Sequence, residues 1–238
     1  MDQKGVINII LIAVIVILLG IVGWLVLIRQ SETPTTPSGP QSQTQLSAVK
    51  PIIENELPRW INAWQKVVPE FNISTFRKIR EESTIKEEQP YDPVQNKLRE
   101  ILYVYSPDKT KVIDPYVYMY LFEEGGKVRP AFEPDSAVGL IDLKNKKWKQ
   151  VLMCGTPCGF NDVAWIDNNT FVVVGLSEYY PESGEERCTT NTKCTYVATL
   201  HIFDLSKNKI TLYYGSESDR RPDLGLYLRN KFPNLDFD

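Results

Sequence analysis

Four cysteines, at 154, 158, 188 and 194, are the residues in this chain best equipped for chemistry. They fall in two polar, turn-like segments, Cys154-Gly-Thr-Pro-Cys158 and Cys188-Thr-Thr-Asn-Thr-Lys-Cys194, each set between β-like runs. An even number of cysteines reads as disulfides in an oxidising compartment. Three pairings are possible, and local closure of each segment, Cys154 with Cys158 and Cys188 with Cys194, is the simplest. Zinc is the sharper alternative, but zinc knuckles normally use two-residue spacing, and the one histidine, His201, sits inside a strand-like run. Free thiols are the third reading.

The other chemical signals are weak. With a single histidine there is little material for a Ser-His-Asp or Cys-His arrangement, and His201 between Leu200 and Ile202 reads as a strand residue rather than a base. The acidic pairs Glu81-Glu82, Glu87-Glu88, Glu123-Glu124 and Glu185-Glu186 are chain neighbours, which in an extended chain point to opposite faces and make no acid/base pair. Gly125-Gly126 and Gly155 lack the pattern of a phosphate loop, and the Asp167-Asn168-Asn169 turn lacks the acidic ladder of a calcium loop. No catalytic residue, cofactor site or metal site is assigned.

What must position these residues begins with residues 6–28, an unbroken uncharged run of mostly Ile, Val, Leu, Ala and Gly. As a helix it would reach roughly 34 Å, enough to cross a bilayer core. It lacks the Ala-x-Ala pattern of a cleaved signal, so the sequence predicts an uncleaved single-pass transmembrane anchor in contact with the lipid bilayer. The predicted organisation is a short cytoplasmic tail (1–5), the anchor (6–28), a disordered Ser/Thr/Pro/Gln linker (29–45), a helical and charged lead-in (46–97) and a β-rich domain outside the cytoplasm (98–238). The linker assignment rests on residues 31–45, which contain no aliphatic or aromatic residue and include Pro34, Pro37 and Pro40. With 27 basic residues against 30 acidic ones, the formal net charge of −3 argues against a nucleic-acid partner.

In the lead-in, Leu57, Trp60, Ile61, Trp64, Val67 and Val68 recur at helical steps between Pro58 and Pro69, predicting a short amphipathic helix that docks on a sheet. The charged residues of 72–95 read as a solvated face or connecting segment. From residue 98 onward β-branched and aromatic runs separated by turn residues predict antiparallel strands. The runs are 101–105, 116–122, 138–143, 147–153, 162–166, 170–176, 196–204 and 209–214. Tyr116, Tyr118, Tyr120 and Phe122 alternate, so one strand would carry them on a single face, most simply as a central strand buried on both sides.

The strands also repeat. Residues 138–148 are echoed by residues 200–210, with Asp142-Leu143 falling on Asp204-Leu205 before a Lys/Asn turn, and each copy is preceded by a hairpin with an acidic turn, at 105–108 and at 165–168. This pattern, over residues 98–215, resembles blades of a β-propeller of the tryptophan-aspartate repeat or TolB-like kind. The resemblance implies four-stranded sheets whose exposed loops contact partners. Propellers need at least four blades and two units are visible, so the expected fold class is mainly β: an N-terminal transmembrane helix, a short amphipathic helix, then two blade-like antiparallel units packed as a sandwich or partial propeller.

Two insertions, residues 123–137 and 177–195, carry the extra length of the repeats and would project together if the units stack by symmetry. Phe132, Tyr179 and Tyr180 within them are the candidate partner surface, because buried aromatics dominate interfaces. The sequence thus points to a non-catalytic binding or scaffolding domain at the cell membrane, with an envelope protein or glycan as partner. The alternative is a membrane-tethered hydrolase acting on cell-wall or glycan material through carboxylates alone.

Overall fold

The structure is a computed structural model that describes residues 40–83, 88–92, 97–179 and 194–237, all within the compact unit Ser38–Asp238. Two helices lead, α1 (Pro40–Glu56) and α2 (Pro58–Gln65). Then come β1 (Arg77–Ser83), β2 (Gln89–Pro90), β3 (Val104–Tyr105), β4 (Lys111–Asp114), β5 (Met119–Glu124) and β6 (Lys127–Phe132). The chain continues through β7 (Ser136–Asp142), β8 (Lys147–Cys154), β9 (Gly159–Trp165), β10 (Thr170–Glu178), β11 (Tyr196–Asp204) and β12 (Lys209–Ser218), and closes with α3 (Leu224–Lys231).

The strands form two five-stranded sheets of matching order, β2-β8-β7-β4-β3 and β1-β12-β11-β10-β9, with β5 and β6 as a separate hairpin; every strand pair is antiparallel. Each sheet is a four-stranded meander plus one added edge strand. The echoed sequences are its hairpins: β7–β8 turns through Lys146 and β11–β12 through Asn208, both with positive φ, 51° and 50°. In each turn an aspartate precedes and caps it, Asp142 accepting from the Asn145 N–H at 2.9 Å and Asp204 from the Lys207 N–H at 3.2 Å. An aspartate bonding the backbone ahead of it is a standard way to stabilise a turn.

The β9–β12 sheet is the middle layer. Phe171, Val173 and Phe203 pack against Ile113, Val138 and Leu140 of the other sheet, whereas Val172, Val174, Leu200 and Ile202 pack against Trp60, Trp64 and Ile53 of the helices. A strand covered on both faces needs apolar residues at every position, which is why β10 reads as a continuous apolar run instead of an alternating one. Phe171 and Phe203 stack at 4.3 Å and are fully buried; replacing Phe171 with Ala would cost about 3–5 kcal/mol in transfer and cavity terms. On the helix side, Pro58 opens α2 where a missing N–H is harmless, and its two tryptophans, one turn apart, are buried beside Phe71 and Phe76.

The sequence-based fold class needs correction. It placed a transmembrane helix first, yet among the described residues no helix is long and apolar enough to cross a membrane. Residues 6–28, on which that expectation rests, lie outside the described residues, as do 1–5 and most of the linker. The described helices are one-sided: α2 buries Trp60 and Trp64 while Arg59 and Asn62 stay exposed. Before the sheets there are two helices rather than one, and α1 already begins at Pro40, where the spacer was expected to continue. The fold is therefore mainly β, two antiparallel meanders face to face with helices on the outer side of the second. No closed ring of blades forms among the described residues.

Two further expectations change. The charged stretch after residue 72 contains β1, an edge strand paired to β12 and mostly exposed, where charges blunt an otherwise adhesive edge. The row Tyr116–Tyr118–Tyr120–Phe122 does not lie along one strand, because residues 115–118 form a turn and only residues 119–124 are extended. Tyr116 is buried, and Tyr120 and Phe122 are exposed.

Candidate functional site

The first insertion folds as the β5–β6 hairpin, turning through Gly125 and Gly126 at φ of 60° and 77°. These positive angles are readily adopted by glycine alone. The outer edge of β6 is strapped by the C-terminal segment: Val128 bridges Leu235 in parallel and its carbonyl accepts from the Asp236 N–H at 2.9 Å. Lys127 and Arg129 clamp the Asp236 carboxylate at 3.3 and 3.1 Å. Partial burial pushes that carboxyl up, but the two cations outweigh it and hold it below its ordinary range.

Between the hairpin and α3 lies a groove of about 420 Å³. Phe132 and Phe237 stack on its rim, centroids 6.4 Å apart; Leu224 and Leu228 form an apolar wall; and Glu133, Asp135 and Arg229 supply charge at the margin. Helix α3 presents those leucines because Asp223 caps it, its Oδ1 accepting from the Leu226 N–H at 2.9 Å, and because Arg229 and Lys231 sit in its last turn, where cations favour the helix dipole.

A chain of buried polar contacts fixes the floor. Arg99 grips Asp114 through both Nε, at 3.0 Å, and Nη2, at 2.5 Å, and also donates to the carbonyls of Tyr116 and Met119. That shapes the 115–118 turn and aims Tyr116 inward, where its hydroxyl donates to the Asn161 carbonyl. The pairing of β9 with β10 shifts at Asn161, placing Asp162 on the helix side of the sheet. There Asp162 accepts from the Tyr227 hydroxyl at 2.5 Å and is ion-paired by Lys231, whose Nζ also lies 3.3 Å from the Tyr116 hydroxyl. Burial, reinforced by the Asp162 charge, pushes both tyrosine hydroxyls up, so they stay protonated donors.

This arrangement decides which chemistry the residues can perform. Asp114 and Asp162 come from separate strands, as a carboxylate pair for hydrolysis must, but each is already engaged by cations and hydrogen bonds. Exposed Glu133 and half-buried Asp135 are the carboxylates left facing the groove. His201 is buried; desolvation, with the Arg80 charge beside it, drives its pKa down to about 3, leaving it neutral. Among the described residues no three of His, Cys, Asp and Glu converge as metal ligands.

Cys154 and Cys158 form a disulfide, Cα atoms 5.8 Å apart. It closes the crossover from β8 to β9, the junction of the two meanders, in a loop with a cis Thr156–Pro157 peptide. Thr156 Oγ1 donates to the Pro134 carbonyl at 2.7 Å, tying this loop to the groove, and Cys158 lines the groove itself. Cys194 is disulfide-bonded, and Cys188 lies outside the described residues.

Of the predicted partner surface, Phe132 is exposed on the groove rim. Tyr179 follows β10 directly, half-buried, with Arg77 donating to its hydroxyl at 3.3 Å and sitting over its ring at 5.9 Å. No described contact joins it to Phe132, and Tyr180 lies outside the described residues. Sequence reasoning missed Leu224, Leu228 and Phe237. The Pro222-Asp223 pair was a usable helix-start signal, whereas the stacking of Phe237 on Phe132 depends on the strap. No known protein-family model matches the chain, and neither curated proteins nor solved structures provide a match.

Proposed function

We propose that this chain is a non-catalytic binding domain held at the cell membrane by residues 6–28, with residues 46–238 outside the cytoplasm, and that it docks an envelope protein in the groove between the β5–β6 hairpin and α3. The carrying observation is exposed Phe132 stacked on half-buried Phe237 beside an apolar wall, mounted on a hairpin that the Asp236 strap holds in place. Aromatic anchors in a preformed pocket are where binding energy concentrates, and a tied-down hairpin loses little entropy on association. The disulfide at the base of the groove suits an oxidising compartment.

The test is a paired substitution. Phe132→Ala with Phe237→Ala should abolish co-purification of a membrane-extracted partner that the wild-type chain retains, while the variant still unfolds cooperatively, its midpoint lowered only by the core packing that half-buried Phe237 loses. Retention of the same partner by the double variant contradicts the assignment, as does a soluble glycan that competes for the groove where no protein does.

A further inference from the structure

The β5–β6 hairpin has two outer edges, and the C-terminal strap covers the one on β6. Register decides which backbone groups face outward on the other. The Val128 carbonyl accepts from the Asp236 N–H in the parallel bridge to Leu235, so Val128 turns its backbone groups away from β5. Glu123, opposite Val128, therefore turns away too, because facing residues of an antiparallel pair exchange both bonds or neither. Two positions back Leu121 faces Pro130, which has no N–H to give. Two further back Met119 keeps the same alternation, its N–H donating to the Tyr116 carbonyl and its own carbonyl held by Arg99. Leu121 and Glu123 thus present outward N–H and C=O groups for which no partner stands among the described residues.

An unpaired strand edge is a template for another chain. Here it is flanked by exposed Tyr120 and Phe122, which share one face of β5, and beside it runs a cavity of about 600 Å³. Both Tyr120 and Leu121 line that cavity. Successive strand residues point to opposite faces, so the cavity meets β5 edge-on. Its floor is Ile141 and Trp148, cross-strand partners that alternate with Leu140 of the inter-sheet core, and Tyr91 and Leu98 wall it. Trp148 lies low because residue 139 is glycine: a Cβ there would meet the indole nitrogen at 2.5 Å. A strand entering along this edge would bond to residues 121 and 123 and set alternate side chains against an aromatic floor. Backbone bonds then give affinity, and the cavity gives specificity.

Charge selects the occupant. Glu124 is held by Arg129 at 2.8 Å, whereas exposed Glu123 enters no ion pair among the described residues. A second copy pairing both of its own open residues here would set its Glu123 opposite Leu121, two positions from this one, and like charges within cross-strand reach destabilise. A strand carrying Lys or Arg gains at the same place.

We propose that the open edge of β5 docks an extended, Lys- or Arg-bearing segment of another protein, which adds as a strand and lays an apolar or aromatic side chain on Trp148. The cavity shares no lining residue with the groove at Phe132, so either reading can fail without the other.

The experiment selects a phage-displayed random heptapeptide library on the full-length chain in detergent and titrates the enriched sequences as free peptides. They should combine a Lys or Arg with alternating apolar residues. Methylating the peptide backbone nitrogens one at a time should weaken binding about fivefold or more at alternate positions only, since every second N–H of an added strand points to its partner. Glu123→Pro, which deletes an outward N–H at a position where an edge strand tolerates proline, should weaken binding by a similar factor; the methylation series, read on the wild-type chain, does not depend on how that variant folds. An absence of enriched peptides, methylation effects without alternation, or binding kept by a folded Glu123→Pro chain and lost on Phe132→Ala would overturn the proposal. So would a concentration-dependent dimer that Glu123→Pro dissolves, which would give the edge to a second copy.

Discussion

The Asp108 N–H donates to Asn168 Oδ1 at 2.9 Å, joining the first acidic turn of one meander to the equivalent turn of the other. Beside it Lys111 Nζ donates to the Asn168 carbonyl at 3.0 Å and Trp165 Nε1 to the Val104 carbonyl at 2.9 Å. The repeated sequences are therefore repeated positions in a two-part structure, and their turns are where the parts touch. Asn168→Ala, which deletes the accepting amide at an exposed site, should lower stability by about 1 kcal/mol; urea denaturation of wild type and variant measures it, and an unchanged midpoint would show that this junction is redundant.

The Asp162–Lys231 pair is nearly buried, with side chains 12% and 14% exposed, so removing one partner strands the other. Lys231→Met alone should destabilise by about 3 kcal/mol, and adding Asp162→Asn should recover part of that loss. Chemical denaturation of the two singles and the double closes the cycle. Additive losses would mean that Lys231 acts through packing on Tyr116 and Phe232 and not through its charge.

His201 couples stability to pH. Its imidazole ordinarily titrates near 6.5 and in the fold is held down to about 3 by burial and by Arg80. Between those values the unfolded chain takes up a proton that the folded chain refuses, so stability falls as pH falls through this window and is unaffected by the group above it. By pH 4 the loss attributable to His201 is about 3 kcal/mol. His201→Gln should remove that part of the acid sensitivity, read as the difference between the two stability–pH curves. Parallel curves would show an imidazole open to water.

The Cys154–Cys158 bridge closes a short loop, so the entropy it removes from the unfolded chain is modest, about 2 kcal/mol. Replacing both cysteines with Ser should cost about that much in thermal unfolding. Peptide mapping without reductant should recover residues 154 and 158 linked to one another; free thiols at both positions would contradict the closure of this crossover.

How much of this was legible in the sequence depended on how local the cause is. Strand β11 spans Tyr196–Asp204, the range its apolar run predicts, and Trp60 and Trp64 dock on the sheet as their spacing requires. Period and turn chemistry are properties of neighbouring residues. Tyr116 was misread because its conformation is set by Arg99 holding the carbonyls of Tyr116 and Met119, a contact that strand alternation cannot encode. Strand β1 was missed because an exposed edge carries charges that resemble a linker. The groove needed Phe237 against Phe132 and Leu224 across from both, three residues joined only by the fold.

The central claim, that the groove beside Phe132 receives an envelope protein, is tested most directly by placing a photoactivatable cross-linking residue at position 132 in the full-length chain and illuminating intact cells. A control chain carries the same residue at position 101, where Ile101 is also exposed but lies outside the groove. The account predicts one discrete protein adduct from position 132, absent from position 101 and lost when Leu224 is replaced by Asp. Equal adducts from both positions, or none from 132 while the domain remains folded, would contradict it.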